Sequence, residues 1–239
     1  MQMLRTMIAA ACAMSAAAFL AHVPEAGAQA GGSSAGSAPV YTPPQRGAPS
    51  RRVGGSSRGA GDALPAVMIL APDHVGLTTS ESPSLYWYLS KPTTVRVEVT
   101  LVDEKGETPL IEYAIEKADG PAVHRVDLAK HNIKLKPNVD YQWSISVVPN
   151  PSERSNDVMA GGVVKRVAVP DAVRRAPGAS KGELARLSAS QGLWYDAIAL
   201  YSELIEQSPK SAELRRQRAA LLQQVGLKEI AEFDLRASR

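Results

Sequence analysis

Residues 94–101, Thr-Val-Arg-Val-Glu-Val-Thr-Leu, set an apolar side chain at every second position. A period of two is that of a strand with one buried face, and it is incompatible with an amphipathic helix over the same residues. The alternation returns in Leu85, Trp87 and Leu89, and again in Tyr141, Trp143, Ile145 and Val147. Shorter runs at 66–70, 109–116 and 122–128 continue the series, with Gly106 and Gly120-Pro121 as turn punctuation. The last run, Val158 to Val169, is interrupted by Gly161-Gly162, which predicts a bulge. About seven short strands within about 105 residues, with no helical pattern between them, predict an all-β sandwich of antiparallel strands over residues 51–170.

The segment Leu135-x-Pro137-x-x-x-Tyr141-x-Trp143 sharpens this. It looks like the tyrosine corner of Ig-like and fibronectin type III domains, in which the Tyr hydroxyl bonds back to the upstream backbone. Tyr141 and Trp143 are therefore assigned structural roles.

Beyond residue 179 the period becomes helical. "GLWYDAIALYSELIEQSP", residues 192–209, resembles the second half of a tetratricopeptide repeat. Gly192 falls at the tight turn between helices, Ala197 where helices cross closely, Tyr201 in the aromatic slot and Pro209 at the close. Gly226 and Ala231 stand 34 residues after Gly192 and Ala197, and 34 is the repeat length of that family. Leu235 departs from the pattern at the aromatic slot. About one and a half repeats over residues 179–237 are too few for a free-standing solenoid, so the helices are expected to pack on the sandwich or on a partner.

The first thirty residues read as a secretory signal peptide. Arg5 supplies the positive end, Met7 to Val23 is an Ala-rich apolar stretch, and small residues offer cleavage after Ala28 or Ala30. A membrane anchor is the rival reading, but about 17 apolar residues would span a bilayer only marginally. Cys12 is the one cysteine, so the exported chain would carry neither a disulfide nor a thiol nucleophile. The expectation is a periplasmic or secreted protein with no transmembrane span in its mature form. Residues 31–50 are dominated by Gly, Ser, Ala and Pro and predict a flexible tether, since few large apolar side chains are there to offset ordering entropy.

The formal charge of +3 is weak and dispersed. Basic spots at 51–58 and 215–218 lack interleaved aromatics, which argues against a nucleic-acid surface. Gly55-Ser56-Ser57-Arg58-Gly59 fits G-x-S-x-G, but a tether before it and glycines after it deny Ser57 the strand-to-helix turn of a hydrolase elbow. A lysine-ended phosphate loop is absent as well. Arg51, Arg52 and Arg58 are kept as candidate grips on an acidic group. Glu153 and Arg154 are candidates for a recognition loop. Trp194 and Tyr195 are either helix core or peptide anchors. No metal site and no cofactor is expected.

Four blocks, in order, carry a family resemblance: "RRVGGSSRG", "LAPDHVGLTTSESPSLYWYLS", "YQWSISVVPNPSERSNDVMAGGVVKRV" and "QGLWYDAIALYSEL". Over residues 51–236 the chain resembles the bacterial domain of unknown function family 928. The family has no assigned activity. The resemblance implies an exported bacterial protein and, because some relatives are encoded beside extracytoplasmic sensors, a protein partner in the cell envelope. Together these readings favour a non-enzymatic interaction or accessory module, using the helical face or the sandwich loops. The alternatives are a periplasmic small-ligand receptor for an anion, and a serine hydrolase using Ser57.

Overall fold

The computed structural model describes residues 37–44, 52, 64–106 and 108–237. The signal peptide, Arg51, Ser57 and Arg58 lie outside the described residues.

Among the described residues eight strands form two sheets. Strands β1 (Val67–Ile69), β3 (Ser84–Leu89) and β6 (Ala122–Asp127) make a three-stranded sheet in the order β1-β3-β6. Strands β2 (Gly76–Thr78), β4 (Arg96–Val102), β5 (Ile111–Ile115), β7 (Asp140–Val148) and β8 (Val158–Arg166) make a five-stranded sheet in the order β2-β8-β7-β4-β5. Five helices follow: α1 (Asp171–Arg174), α2 (Lys181–Ser190), α3 (Trp194–Gln207), α4 (Ala212–Gln224) and α5 (Lys228–Arg236).

Period two is realised in β4, where Val97, Val99 and Leu101 are buried and Glu98 and Thr100 are half-buried. In β3 all six residues are buried. Its alternation is present, but both faces are covered: the Tyr88 ring lies 5.3 Å from Phe233 of α5, and Tyr86 shares a small cavity with Ser202, Ile205 and Arg218 of α3 and α4. The helices thus pack over the tyrosine face of the smaller sheet.

Two expectations are corrected. The strands are not uniformly antiparallel, because β2 runs parallel to β8, with Gly76 opposite Val164. A three-residue strand is too short to show a period, which hides it in the sequence. Nor do Gly161-Gly162 form a bulge, since Trp143 pairs with Gly162 and Ser144 with Gly161 in unbroken register. These glycines serve close approach instead: a Cβ at Gly162 would fall 2.7 Å from Ile69 Cδ1, and one at Gly161 3.2 Å from the Trp143 carbonyl oxygen. At the start of β7, the Lys136 N–H donates to the Tyr141 hydroxyl at 3.0 Å, the upstream bond the corner pattern predicts.

The helical half repeats itself hydrogen bond by hydrogen bond. Leu193 N–H donates to the Ser188 carbonyl and Ala197 N–H to that of Leu193, while Leu227 donates to Leu222 and Ala231 to Leu227. Gly192 and Gly226 hold φ of +75° and +76°, a backbone region costly for other residues. Ser180 caps α2 in a capping box with Glu183, and Ser211 caps α4. A buried ion pair within the second helix pair also bonds to the first. Arg218 of α4 donates Nε and Nη2 to the Asp234 carboxylate of α5 at 2.8 and 2.6 Å, and Nη1 to Ser202 of α3.

The tether expectation is also corrected in part. Residues 37–44 lie on the helices, with Tyr41 buried. Compositional reasoning passed over the single aromatic of the segment, whose burial offsets the ordering of its neighbours.

Candidate functional site

Helix α3 enters the body through its first turn. The Trp194 indole N–H donates to the Leu70 carbonyl at 2.9 Å, just past β1. The Tyr195 hydroxyl donates to the Val163 carbonyl of β8 at 3.2 Å and accepts from the Trp143 indole N–H of β7 at 2.9 Å. Asp196, one residue on, accepts from the Thr78 hydroxyl and from the Thr79 N–H and hydroxyl, the last two at 2.9 and 2.6 Å. Burial raises the Asp196 carboxyl above its ordinary value, and the threonine hydrogen bonds oppose that shift. Burial likewise raises the Tyr195 phenol, against the indole N–H it accepts. Three consecutive residues therefore fasten α3 to both sheets.

Beside this weld lies the docked segment. Thr42 N–H donates to the Ala189 carbonyl at 3.1 Å, at the end of α2. The Gln224 side chain, at the end of α4, accepts from Tyr41 N–H at 2.9 Å and donates to the Pro39 carbonyl at 2.8 Å. The Tyr41 ring meets Trp194 edge-on at 4.9 Å, and its hydroxyl lies 3.3 Å from His74 Nε2. Burial raises the Tyr41 phenol, with Tyr195 and Asp73 adding to it.

On another side of α3, a cleft of about 420 Å³ separates the helices from the β2–β3 loop and β6. One wall is apolar, with Leu184, Ala199 and Leu200. The lining also includes Arg125 and Asp127 of β6 and the α3 carboxylates of Asp196 and Glu203. Arg125 is already engaged, donating to Ser84 at 2.8 Å and pairing with Asp127 at 3.2 Å. Among the described residues no group of three His, Cys, Asp or Glu is placed to hold a metal ion. None of the described helices is long and apolar enough to cross a membrane.

Residues 53–235 match the family described as Domain of Unknown Function (DUF928). The chain belongs to that family. No curated protein matches it. Among solved structures, the multi-domain immunophilin from Arabidopsis thaliana shares 9% identity over 82% of this chain and 99% of that one, at a TM-score of 0.18.

The DUF928 fold disperses the residues that sequence reasoning singled out. Trp194 and Tyr195 are buried. Both are bonded into the core, and the Trp194 ring also meets that of Tyr41 in the docked segment. Arg52 donates Nη1 to the carbonyls of Ala71 and Val225, at 3.1 and 3.0 Å, rather than to a carboxylate. Arg154 pairs with Glu98 at 2.7 Å and with Asp157 at 2.8 Å, which pins the exposed loop that carries Glu153. Arg154 holds Glu98 well below the usual carboxylate range. Ala197 is fully buried, and exposed Pro209 accepts from Arg215 Nε just after α3. Sequence reasoning missed Tyr41, Gln224, Asp196 and the Thr78-Thr79 pair. The one available signal was Pro39-Val40-Tyr41-Thr42-Pro43, an aromatic set among prolines in an otherwise small-residue segment.

Proposed function

We propose that this DUF928 protein is an exported, non-enzymatic interaction module of the cell envelope that engages a protein partner through its helical face or the loops of its β domain. The finer reading of the fold is part of this proposal. Facing β1-β3-β6, the order β8-β7-β4-β5 parallels that of Ig and fibronectin type III sandwiches, and the Tyr141 corner bond supports the same assignment. Paired helices with a 34-residue recurrence of turn hydrogen bonds support a tetratricopeptide-like reading of the rest. The observation that carries the functional proposal is the docking of residues 37–44 across the ends of α2 and α4, held by main-chain hydrogen bonds. A helical surface that already holds an extended segment is chemically equipped for peptide recognition.

The test is photo-crosslinking in the producing cell, with the reactive residue at exposed positions Arg216, Glu232 or Ser152, and at Glu112 on β5 as reference. The reading expects a discrete adduct from the helical or loop positions. Labelling no stronger than at Glu112 would overturn it. Export is tested by N-terminal sequencing of the envelope-fraction protein: a start after Ala28 or Ala30 supports it, and a start at Met1 contradicts it.

A second reading is a small-ligand receptor, favoured by the cleft between α3 and β6. Its charged lining groups are already engaged, Arg125 with Asp127, Asp196 with Thr78 and Thr79, and Glu203 with Lys181, which suits a neutral ligand better than the anion expected from the sequence.

A further inference from the structure

We propose that the surface formed by the α2–α3 turn, the end of α4 and the Trp194–His74 pair is a tyrosine-reading peptide site. It would accept an extended Pro-x-Tyr-x-Pro segment of a partner, and Pro39–Pro43 is its resident occupant. This rests on the reading of the protein as an interaction module and names the class of partner.

Recognition at this surface is divided between main chain and one side chain. The Gln224 carboxamide bridges the occupant's backbone at two points, donating to the Pro39 carbonyl and accepting from the Tyr41 N–H. The Ala189 carbonyl takes the next N–H, that of Thr42. None of these three bonds depends on the occupant's side chains, so any extended segment of the same phase can form them.

Pro39 and Tyr41 are the buried residues of the segment, and Tyr41 is the aromatic one. Its ring stands edge-on to Trp194 at 4.9 Å, parallel to the His74 ring at 5.8 Å, and its hydroxyl reaches His74 Nε2 at 3.3 Å. An aromatic ring with a polar tip therefore fits where an aliphatic chain would take from His74 Nε2 its Tyr41 hydroxyl partner. Val40, by contrast, is 66% exposed, and Thr42 and Pro43 face solvent. The site reads position 41 beside a buried Pro39 and leaves positions 40, 42 and 43 open.

The prolines suit the task because they favour extended backbone and lower the ordering cost. Pro39, Pro43 and Pro44 also lack the N–H groups that would need partners here. On the receptor side, Gly192 is required twice. It holds φ of +75°, and a Cβ there would fall 2.9 Å from the Thr42 carbonyl oxygen. With few contacts and most side chains free, the resident segment is exchangeable, and its covalent attachment acts as a local concentration that a partner must exceed.

The experiment uses the fluorescent peptide Ser-Ala-Pro-Val-Tyr-Thr-Pro-Pro, the sequence of residues 37–44, against the full chain carrying Tyr41→Ala. Saturable binding by anisotropy is expected, weakened by at least about tenfold in the wild-type chain because its site is self-occupied. Binding is expected to weaken by a similar factor when Gln224→Ala is added, or when the peptide's tyrosine is replaced by alanine. Should Tyr41→Ala fail to fold, Thr42→Pro, which removes the N–H given to Ala189, serves as the opened chain. An opened chain with wild-type circular dichroism that shows no saturable binding would overturn the proposal, as would equal affinity of the opened and wild-type chains. Either result leaves the crosslinking outcome untouched, so failure of this site is distinct from failure of the module reading.

Discussion

Gly76 has no room for a methyl group: a Cβ there would come within 2.5 Å of Tyr195 Cε2. Gly76→Ala must therefore displace a ring that is fixed by two hydrogen bonds, at a cost of about 1–3 kcal/mol. Gly182, in the first turn of α2, has nothing within 4 Å of its would-be Cβ. Gly182→Ala is expected to be neutral or to stabilise by about 0.4–1 kcal/mol. Urea denaturation of the pair measures the contrast. Tyr195→Phe keeps the ring but takes the hydroxyl from the buried Trp143 indole N–H, and should cost about 1–3 kcal/mol in the same assay. A charge acts at this scale too. The fold holds Glu98 below its ordinary value of 4.5, so its contribution is complete above that pH and is lost as the pH falls through the depressed value. Glu98→Gln should flatten the stability profile below pH 4.5, and salt should shrink the difference because the partners are largely exposed. Of these residues only Trp143 and Tyr195 stood out in the sequence; Gly76 did not, because nothing local says which ring will pack against it.

Among elements, legibility followed length and period. The alternation in β4 and β7 spans enough residues to be read directly, whereas the three-residue β2 and its parallel pairing with β8 were invisible. Gly161-Gly162 was misread because a glycine pair in a strand signals either a bulge or close approach, and only the position of Ile69 separates the two. The 34-residue recurrence, by contrast, was legible because glycine at positive φ is a local requirement that the chain must meet twice. Gly226→Ala places a side chain in that conformation with only an ordinary contact, 3.8 Å to Arg52 Nη2, so its cost should be the backbone strain alone, about 1–2 kcal/mol. Gly192→Ala adds the clash with the Thr42 carbonyl and should lower the melting temperature further. Thermal scans of both variants check this ordering.

In the whole molecule, sheets and helices share one core through Trp143, Trp194 and Tyr195. They should therefore unfold together, with tryptophan fluorescence and far-UV circular dichroism giving coincident denaturation curves. Composition could not reveal that residues 37–44 belong to this body, because a single tyrosine and a distant glutamine decide it. That docked segment is the centre of the functional account, and hydrogen exchange on the full chain tests it most directly. The account predicts that the amides of Tyr41 and Thr42 exchange slowly in the wild type and lose protection in Gln224→Ala. Exchange of residues 37–44 at the rate of an unstructured peptide in the wild-type protein would contradict it.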